Sequence, residues 1–160
     1  MSERYEIELR IFSHPRYLCV VRAVIETALK RLSYGEELRG RLALAVDEAI
    51  TNIIRHGYKN RENGPIWLTL TATDETDSGG GVSIVLEDEA EPVDPVLIRG
   101  RDLADIKPGG LGVHIIQQVM HEVRYQPRPQ NNGMKLTMIR HASTQNAAAD
   151  GRNATENPSP

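Results

Sequence analysis

Glu48, Asn52 and His56 place a carboxylate, a carboxamide and an imidazole at i, i+4 and i+8 of the stretch Glu48-Ala-Ile-Thr-Asn52-Ile-Ile-Arg-His56-Gly-Tyr58. At about 100° per helical residue they advance roughly 40° per step, so a helix would carry them as one polar line. A carboxylate and an amide oxygen one turn apart can orient a nucleophile and hold a hard cation. The same pattern fits an amphipathic helix whose border residues are merely polar. Further along, Val82, Ile84 and Leu86 share one face of an expected strand, and Asp88 continues that face. A carboxylate carried into an apolar layer needs donors, and an amine on a planar ligand base would supply one. Gly109-Gly110-Leu111-Gly112 then opens a helix. Glycines let the backbone approach a ligand closely, and the free N–H groups of a helix start favour phosphate oxygens. The run is neither a Walker loop nor a Rossmann fingerprint. Lys107 before it fits a solvated loop lysine or an added positive charge for phosphates.

The elements that would position these groups follow from periodicity. Tyr5, Ile7, Leu9 and Ile11 alternate with polar residues as a half-buried strand. Ser13 is expected to cap the next helix, with Pro15 in its first turn. Leu18, Val21, Ile25, Ala28, Leu29 and Leu32 have helical spacing, and Tyr34-Gly35 breaks the run. A second helix is expected from near Glu36 to near Tyr58, with Leu42, Ala45, Val46, Ala49, Ile50, Ile53 and Ile54 turned inward. Glu48 and Asn52 would then stand at the rim of the core. Strands follow around Ile66 to Leu70 and Val82 to Glu87, joined through the Gly-rich residues 74–81 as a hairpin. Residues 89–108 have no period, and a loop of that length in a compact domain is usually functional or mobile. A helix carrying Ile115, Ile116, Val119 and Met120 precedes two last strands around an Asn131-Asn132-Gly133 turn. Bunched helices and hairpin-paired strands predict an α+β fold, a two-layer sandwich with helices on one face of a largely antiparallel sheet. Residues 1–141 would form one domain, with 142–160, rich in Ala, Asn, Ser, Thr and Pro, as a disordered tail.

The 160 residues suffice for one core-bearing domain. A net charge of −3 gives no basic excess for a dedicated nucleic-acid binder. Cys19 is alone, which excludes an internal disulfide and fits a reducing cytosol. The N-terminus lacks a signal-peptide core, and no apolar run reaches membrane-spanning length, so a cytoplasmic location is expected. Asn153-Ala-Thr matches a glycosylation acceptor, which in a cytosolic tail is a chance match. The scattered histidines suggest no metal site.

In chain order the three chemical pieces resemble a known set. Glu48…Asn52…His56-Gly-Tyr58 is similar to the N box of the GHKL (Bergerat-fold) ATPases, Asp88-Glu89-Ala90-Glu91-Pro92 to their G1 box, and Gly109-Gly110-Leu111-Gly112 to their G2 box. The short chain, the absence of a phospho-acceptor histidine domain and the wording of residues 47–58 narrow the resemblance to the anti-sigma-factor serine/threonine kinases of the RsbW and SpoIIAB kind, over residues 5–141. That resemblance implies ATP with Mg²⁺ as cofactors. It implies Glu48 as the catalytic base toward a serine hydroxyl, Asn52 as the amide on Mg²⁺, and Asp88 with neighbouring Ala90 at the adenine. Gly109, Gly110, Leu111 and Gly112 would form the phosphate-side loop, and residues 89–108 a lid. It implies two partners, a sigma factor and a STAS-type antagonist that is phosphorylated, with Arg22 where the family has a partner-contacting arginine. A solvated helix arginine is the equal alternative. It also suggests a homodimer through the sheet around the first strand.

Two residues depart from the family pattern. Ala90 stands where the G1 box usually has Gly, and its methyl group is expected near the adenine, lowering affinity. Gly133-Met134-Lys135 stands where many relatives have a Thr near the adenine. His56 is read as a structural helix-end histidine. A non-catalytic, nucleotide-tuned binding module is the main alternative to a kinase; the Glu48–Asn52 pair speaks for the enzyme. The ATPase module of a two-component histidine kinase is a third reading, and the missing phosphotransfer domain speaks against it.

Overall fold

The computed structural model describes residues 5–73, 81–92, 111–128 and 132–141. The sequence expectations for residues 74–80 and 93–110, Gly109 and Gly110 among them, and for the tail at 142–160 lie outside these residues. Alternating apolar residues give β1 (Glu6–Phe12), β2 (Pro65–Thr73), β3 (Gly81–Asp88), β4 (Glu122–Pro127) and β5 (Met134–Arg140). They form one antiparallel sheet in the order β1-β2-β3-β5-β4. Ile66, Leu68 and Leu70 of β2, Val82, Ile84 and Leu86 of β3, and Met134, Leu136 and Met138 of β5 point to one face and are buried. This face meets α1 (Leu18–Arg31), α2 (Glu36–Asn52) and α3 (Leu111–Val119) in a single apolar core. The middle helix, α2, packs against both α1 and α3. The α+β two-layer reading and both hairpins are therefore realised.

Ser13 is not the helix cap. Its buried hydroxyl donates to the Arg61 carbonyl and accepts from Gly64 N–H at 2.9 Å, closing the turn before β2. The cap falls to His14, whose Nδ1 accepts from Arg16 N–H at 3.1 Å, and Pro15–Tyr17 is a 3₁₀ turn leading into α1. A cap at Ser13 would have left the turn's buried groups unpaired, a larger cost than moving the cap by one residue. At its other end α1 closes with Ser33 at φ 63° and a bond from Tyr34 N–H to Leu29 O at 3.0 Å. The break thus lies one residue before Tyr34, whose ring is buried.

The second helix also departs from expectation. It is α-helical only to Asn52 and continues as a π turn over Ile53–Gly57, where Tyr58 N–H reaches back five residues to Ile53 O at 2.8 Å. The wider turn breaks the roughly 100° step on which the polar line rests, so His56 leaves the line of Glu48 and Asn52 and is exposed. Lys59 and Asn60 follow with φ of 53° and 61°, which reverses the chain toward β2.

Candidate functional site

Asp88 ends the buried face of β3, opposite Ile66 of β2, and is only 5 % exposed. Its Oδ1 accepts from Ala90 N–H at 2.9 Å and from Met134 N–H at 3.3 Å. Among the described residues nothing bonds Oδ2, so that oxygen is available to a ligand donor. Burial pushes the carboxyl above the usual aspartate range, and the two backbone donors and Arg128 only partly offset this. The backbone around it is fixed as well. Arg128 Nη1 donates to Asp88 O at 3.1 Å, while its guanidinium lies 4.9 Å from the Trp67 ring centroid. Gly133, at φ 129°, lets β5 approach so closely that any side chain there would enter the Asp88 carbonyl.

Glu48 and Asn52 are half-buried on the last turns of α2 and lie one helical turn apart. Neither side chain has a hydrogen-bond or ion-pair partner among the described residues. The Glu48 carboxylate lies directly against Gly112, where a Cβ would collide with Oε2. This contact joins α2 to the first turn of α3, which begins at Leu111. Glu48 and Gly112 are thus brought together, Asn52 follows Glu48 by one turn of α2, Leu111 is the first residue of α3, and Asp88 is the last residue of β3. Ala90 is 1 % exposed, and its methyl packs into the core against Gly57, 2.9 Å from where a Cβ would stand. The Ala90 methyl thus packs on the π turn. Met134 stands beside Asp88 and meets it through its backbone.

Sequence reasoning passed over three groups that hold this arrangement. Tyr58 is 3 % exposed; its hydroxyl donates to Pro65 O at 2.6 Å and accepts from Glu89 N–H at 2.8 Å. An aromatic ring completing an apolar stripe gives no sign of where its hydroxyl goes. Arg128 lay in a polar turn and had no pattern to mark it. Asp47 did carry a signal, since it follows Ala43 by four residues and precedes Ile50 by three, on the buried face of α2. It is 6 % exposed and its Oδ2 accepts from Arg22 Nε at 2.8 Å and from Nη2. Asp47 Oδ1 is buried and has no partner among the described residues. The hydrogen bond and charge of Asp47 hold the Arg22 guanidinium above its ordinary value. Arg22, Asp47, Cys19 and Glu26 border a groove of about 430 Å³ at the start of α1, whose lining includes neither Asp88 nor Gly112.

Chemically, the arrangement can read a base with Asp88 and approach phosphates at the start of α3. The unengaged Asn52 amide suits a hard cation that keeps most of its waters and is otherwise held by phosphate oxygens. No group of three or more His, Cys, Asp or Glu side chains suited to a metal occurs among the described residues. A Mg²⁺ carried in with a nucleotide fits this donor set, and a free-standing protein cage does not. Among the described residues, no helix is long and apolar enough to cross a membrane.

Comparison with known proteins places these features in a family. The chain is 25 % identical to serine-protein kinase RsbW of Bacillus subtilis over 144 residues, covering 84 % of each chain. It is 30 % identical to serine-protein kinase RsbW of Listeria monocytogenes over 123 residues, 74 % of this chain and 78 % of the relative. Among solved structures it superposes on the RsbU and RsbW domains of a Mycobacterium tuberculosis protein with a TM-score of 0.55 at 16 % identity. That match spans 87 % of this chain and 33 % of the other, and bears on the fold alone. The profile of the histidine kinase-like ATPase domain matches residues 11–140. That span contains every element that carries the site, and the chain belongs to the histidine kinase-like ATPase domain family.

Proposed function

We propose that this protein is an ATP-dependent serine/threonine protein kinase acting as an anti-sigma factor, which sequesters a sigma factor and phosphorylates a STAS-type antagonist. The observation that carries the reading is the Glu48 carboxylate seated against Gly112. It sets a proton acceptor beside the helix start that would face the phosphates, with Asp88 available for the base. The relatives named serine-protein kinase support a hydroxyl side chain as the acceptor.

Bound Mg-ATP supplies the transferable phosphoryl group and the charge that neutralises it. The protein supplies position, which is most of what phosphoryl transfer asks of it. Asp88 Oδ2 accepts from the adenine amine and fixes the base. Asn52 holds Mg²⁺ through its amide oxygen. The run Gly109-Gly110-Leu111-Gly112 would hold the phosphates through its backbone N–H groups. Glu48 takes the proton of the attacking serine hydroxyl. Arg22, about half exposed and steadied by Asp47, stands ready for a protein partner. Among the described residues β1 is an edge strand, which suits a homodimer built on its outer backbone groups. Residues 1–141 make the catalytic domain, and the protein works in the cytoplasm.

The test is direct. The purified chain is incubated with Mg-ATP and the STAS protein encoded beside it, and the product is analysed for phosphoserine and phosphothreonine. Phosphorylation of that protein is expected, and it should require Mg²⁺. Stoichiometric binding of the STAS protein without phosphorylation would point to the non-catalytic binding module instead.

A further inference from the structure

The Tyr58 hydroxyl occupies the junction between the π turn and the residues that follow β3. It accepts from Glu89 N–H at 2.8 Å while donating to Pro65 O at 2.6 Å. Glu89 lies between Asp88 and Ala90, and each of the three is held separately. Arg128 binds the Asp88 carbonyl, Tyr58 binds the Glu89 amide, and Ala90 is held by Asp88 Oδ1 and by packing on Gly57. The Tyr58 ring cannot shift toward β2, because it lies on Gly64 so closely that a side chain there would enter it. Its backbone cannot shift either, since Tyr58 N–H is tied to Ile53 O, and Asn60 N–H to Ile54 O at 2.9 Å. Two successive non-glycine residues at positive φ, Lys59 and Asn60, complete this reversal. Asn enters that region readily, whereas Lys does so at a cost that its surroundings must offset.

We propose that Tyr58 is a positioning residue for base recognition: its hydroxyl fixes the turn after β3 so that Asp88 engages the backbone through Oδ1 and presents Oδ2 to the ligand base. The inference rests on the nucleotide-site reading above. It adds that the π turn has a function. One continuous segment carries Asn52 on the phosphate side and, after the wide turn, Tyr58 on the base side. The two halves of the nucleotide are thereby held by one rigid piece of chain.

Tyr58→Phe keeps the ring on Gly64 and removes only the hydroxyl. In calorimetric titrations with Mg-ATP and Mg-GTP it should lower the ATP-over-GTP affinity ratio about tenfold, the scale of one lost hydrogen bond. A role in stability alone would lower the melting temperature and leave that ratio unmoved. Because Tyr58 acts through Asp88, adding Tyr58→Phe to Asp88→Asn should reduce the ratio no further. A wild-type ratio in Tyr58→Phe, or additive losses in the double variant, would overturn the assignment. A wild-type protein with no preference for ATP would overturn the base-recognition reading, and this inference with it. The unsubstituted protein offers an independent check by amide hydrogen exchange. Glu89 N–H should be protected to the level of the β3 amides, and fast exchange there would rule out the proposed bond.

Discussion

At the scale of single residues, Asp88 sets stability against recognition. Its pKa is raised in the folded state, so between the ordinary and the raised value the folded chain binds more protons than the unfolded one. The stability tied to its protonated form is complete below the unfolded value and is lost as pH rises through the folded value. Asp88→Asn keeps an Oδ1 acceptor for Ala90 and Met134 and carries no titrating charge. Its melting temperature relative to wild type should therefore rise as pH increases above the ordinary aspartate range and through the raised folded value. At the same time it should lose about 1.5–3 kcal/mol of ATP binding and its preference over GTP. Thermal scans across that pH range, beside titrations with both nucleotides, check the two effects together. Gly112 belongs to the same scale. A methyl group there meets the Glu48 carboxylate. In Gly112→Ala the flexible end of Glu48 can swing aside at little cost in stability, and its displacement should slow phosphotransfer on the order of 10²-fold, since a small misplacement at a reacting centre costs that much. Unchanged turnover would mean that the Glu48–Gly112 approach is loose in solution. Asp88 was legible in the sequence because strand alternation carries a charge inward. The contact between Glu48 and Gly112 was not, because it joins residues 64 positions apart through the packing of α2 on α3.

Among the elements, those with a strong period were readable and those shaped by competition for hydrogen bonds were not. Among the described residues, the strands and the α-helices follow the apolar spacing. The π turn does not, because Ile53 and Ile54 continue an α-helical stripe by residue type and only the bond from Tyr58 to Ile53 reveals the wider loop. Ser13 reads as a cap by type but is drawn away by the buried turn at Arg61 and Gly64. The α1–α2 contact gives a test at this scale. Arg22 bonds through two nitrogens to a carboxylate that is otherwise buried, and Asp47 Oδ1 already lacks a partner among the described residues. Removing the arginine leaves that carboxylate without its cation. Arg22→Ala should cost about 1–3 kcal/mol, held to that range because the guanidinium is about half exposed and screened. Arg22→Ala with Asp47→Asn should recover part of the loss. Chemical denaturation of the two variants measures it, and a double variant less stable than Arg22→Ala would argue against the pair.

For the whole molecule, the sheet packs its apolar face on the helices, and among the described residues β1 and β4 are its edges. The order of elements was enough to expect this architecture, because antiparallel hairpins and bunched helices leave few other layerings. The expected partners came from the resemblance of the three motifs and not from the order of elements. Truncation after His141 should leave the melting temperature and Mg-ATP affinity unchanged, because among the described residues the buried core runs from Ile11 to Met138. A fall in either would assign the last residues a structural part. The central claim is that Glu48 removes the proton of an attacking hydroxyl in a site whose remaining parts bind ATP without it. Single-turnover phosphotransfer to the STAS antagonist, run for wild type and Glu48→Gln at saturating Mg-ATP, tests this most directly. Glutamine keeps the size of the side chain beside Gly112 and cannot accept the proton, so Mg-ATP affinity should hold while the transfer rate falls roughly 10²–10⁴-fold. Transfer at the wild-type rate in Glu48→Gln would contradict the account.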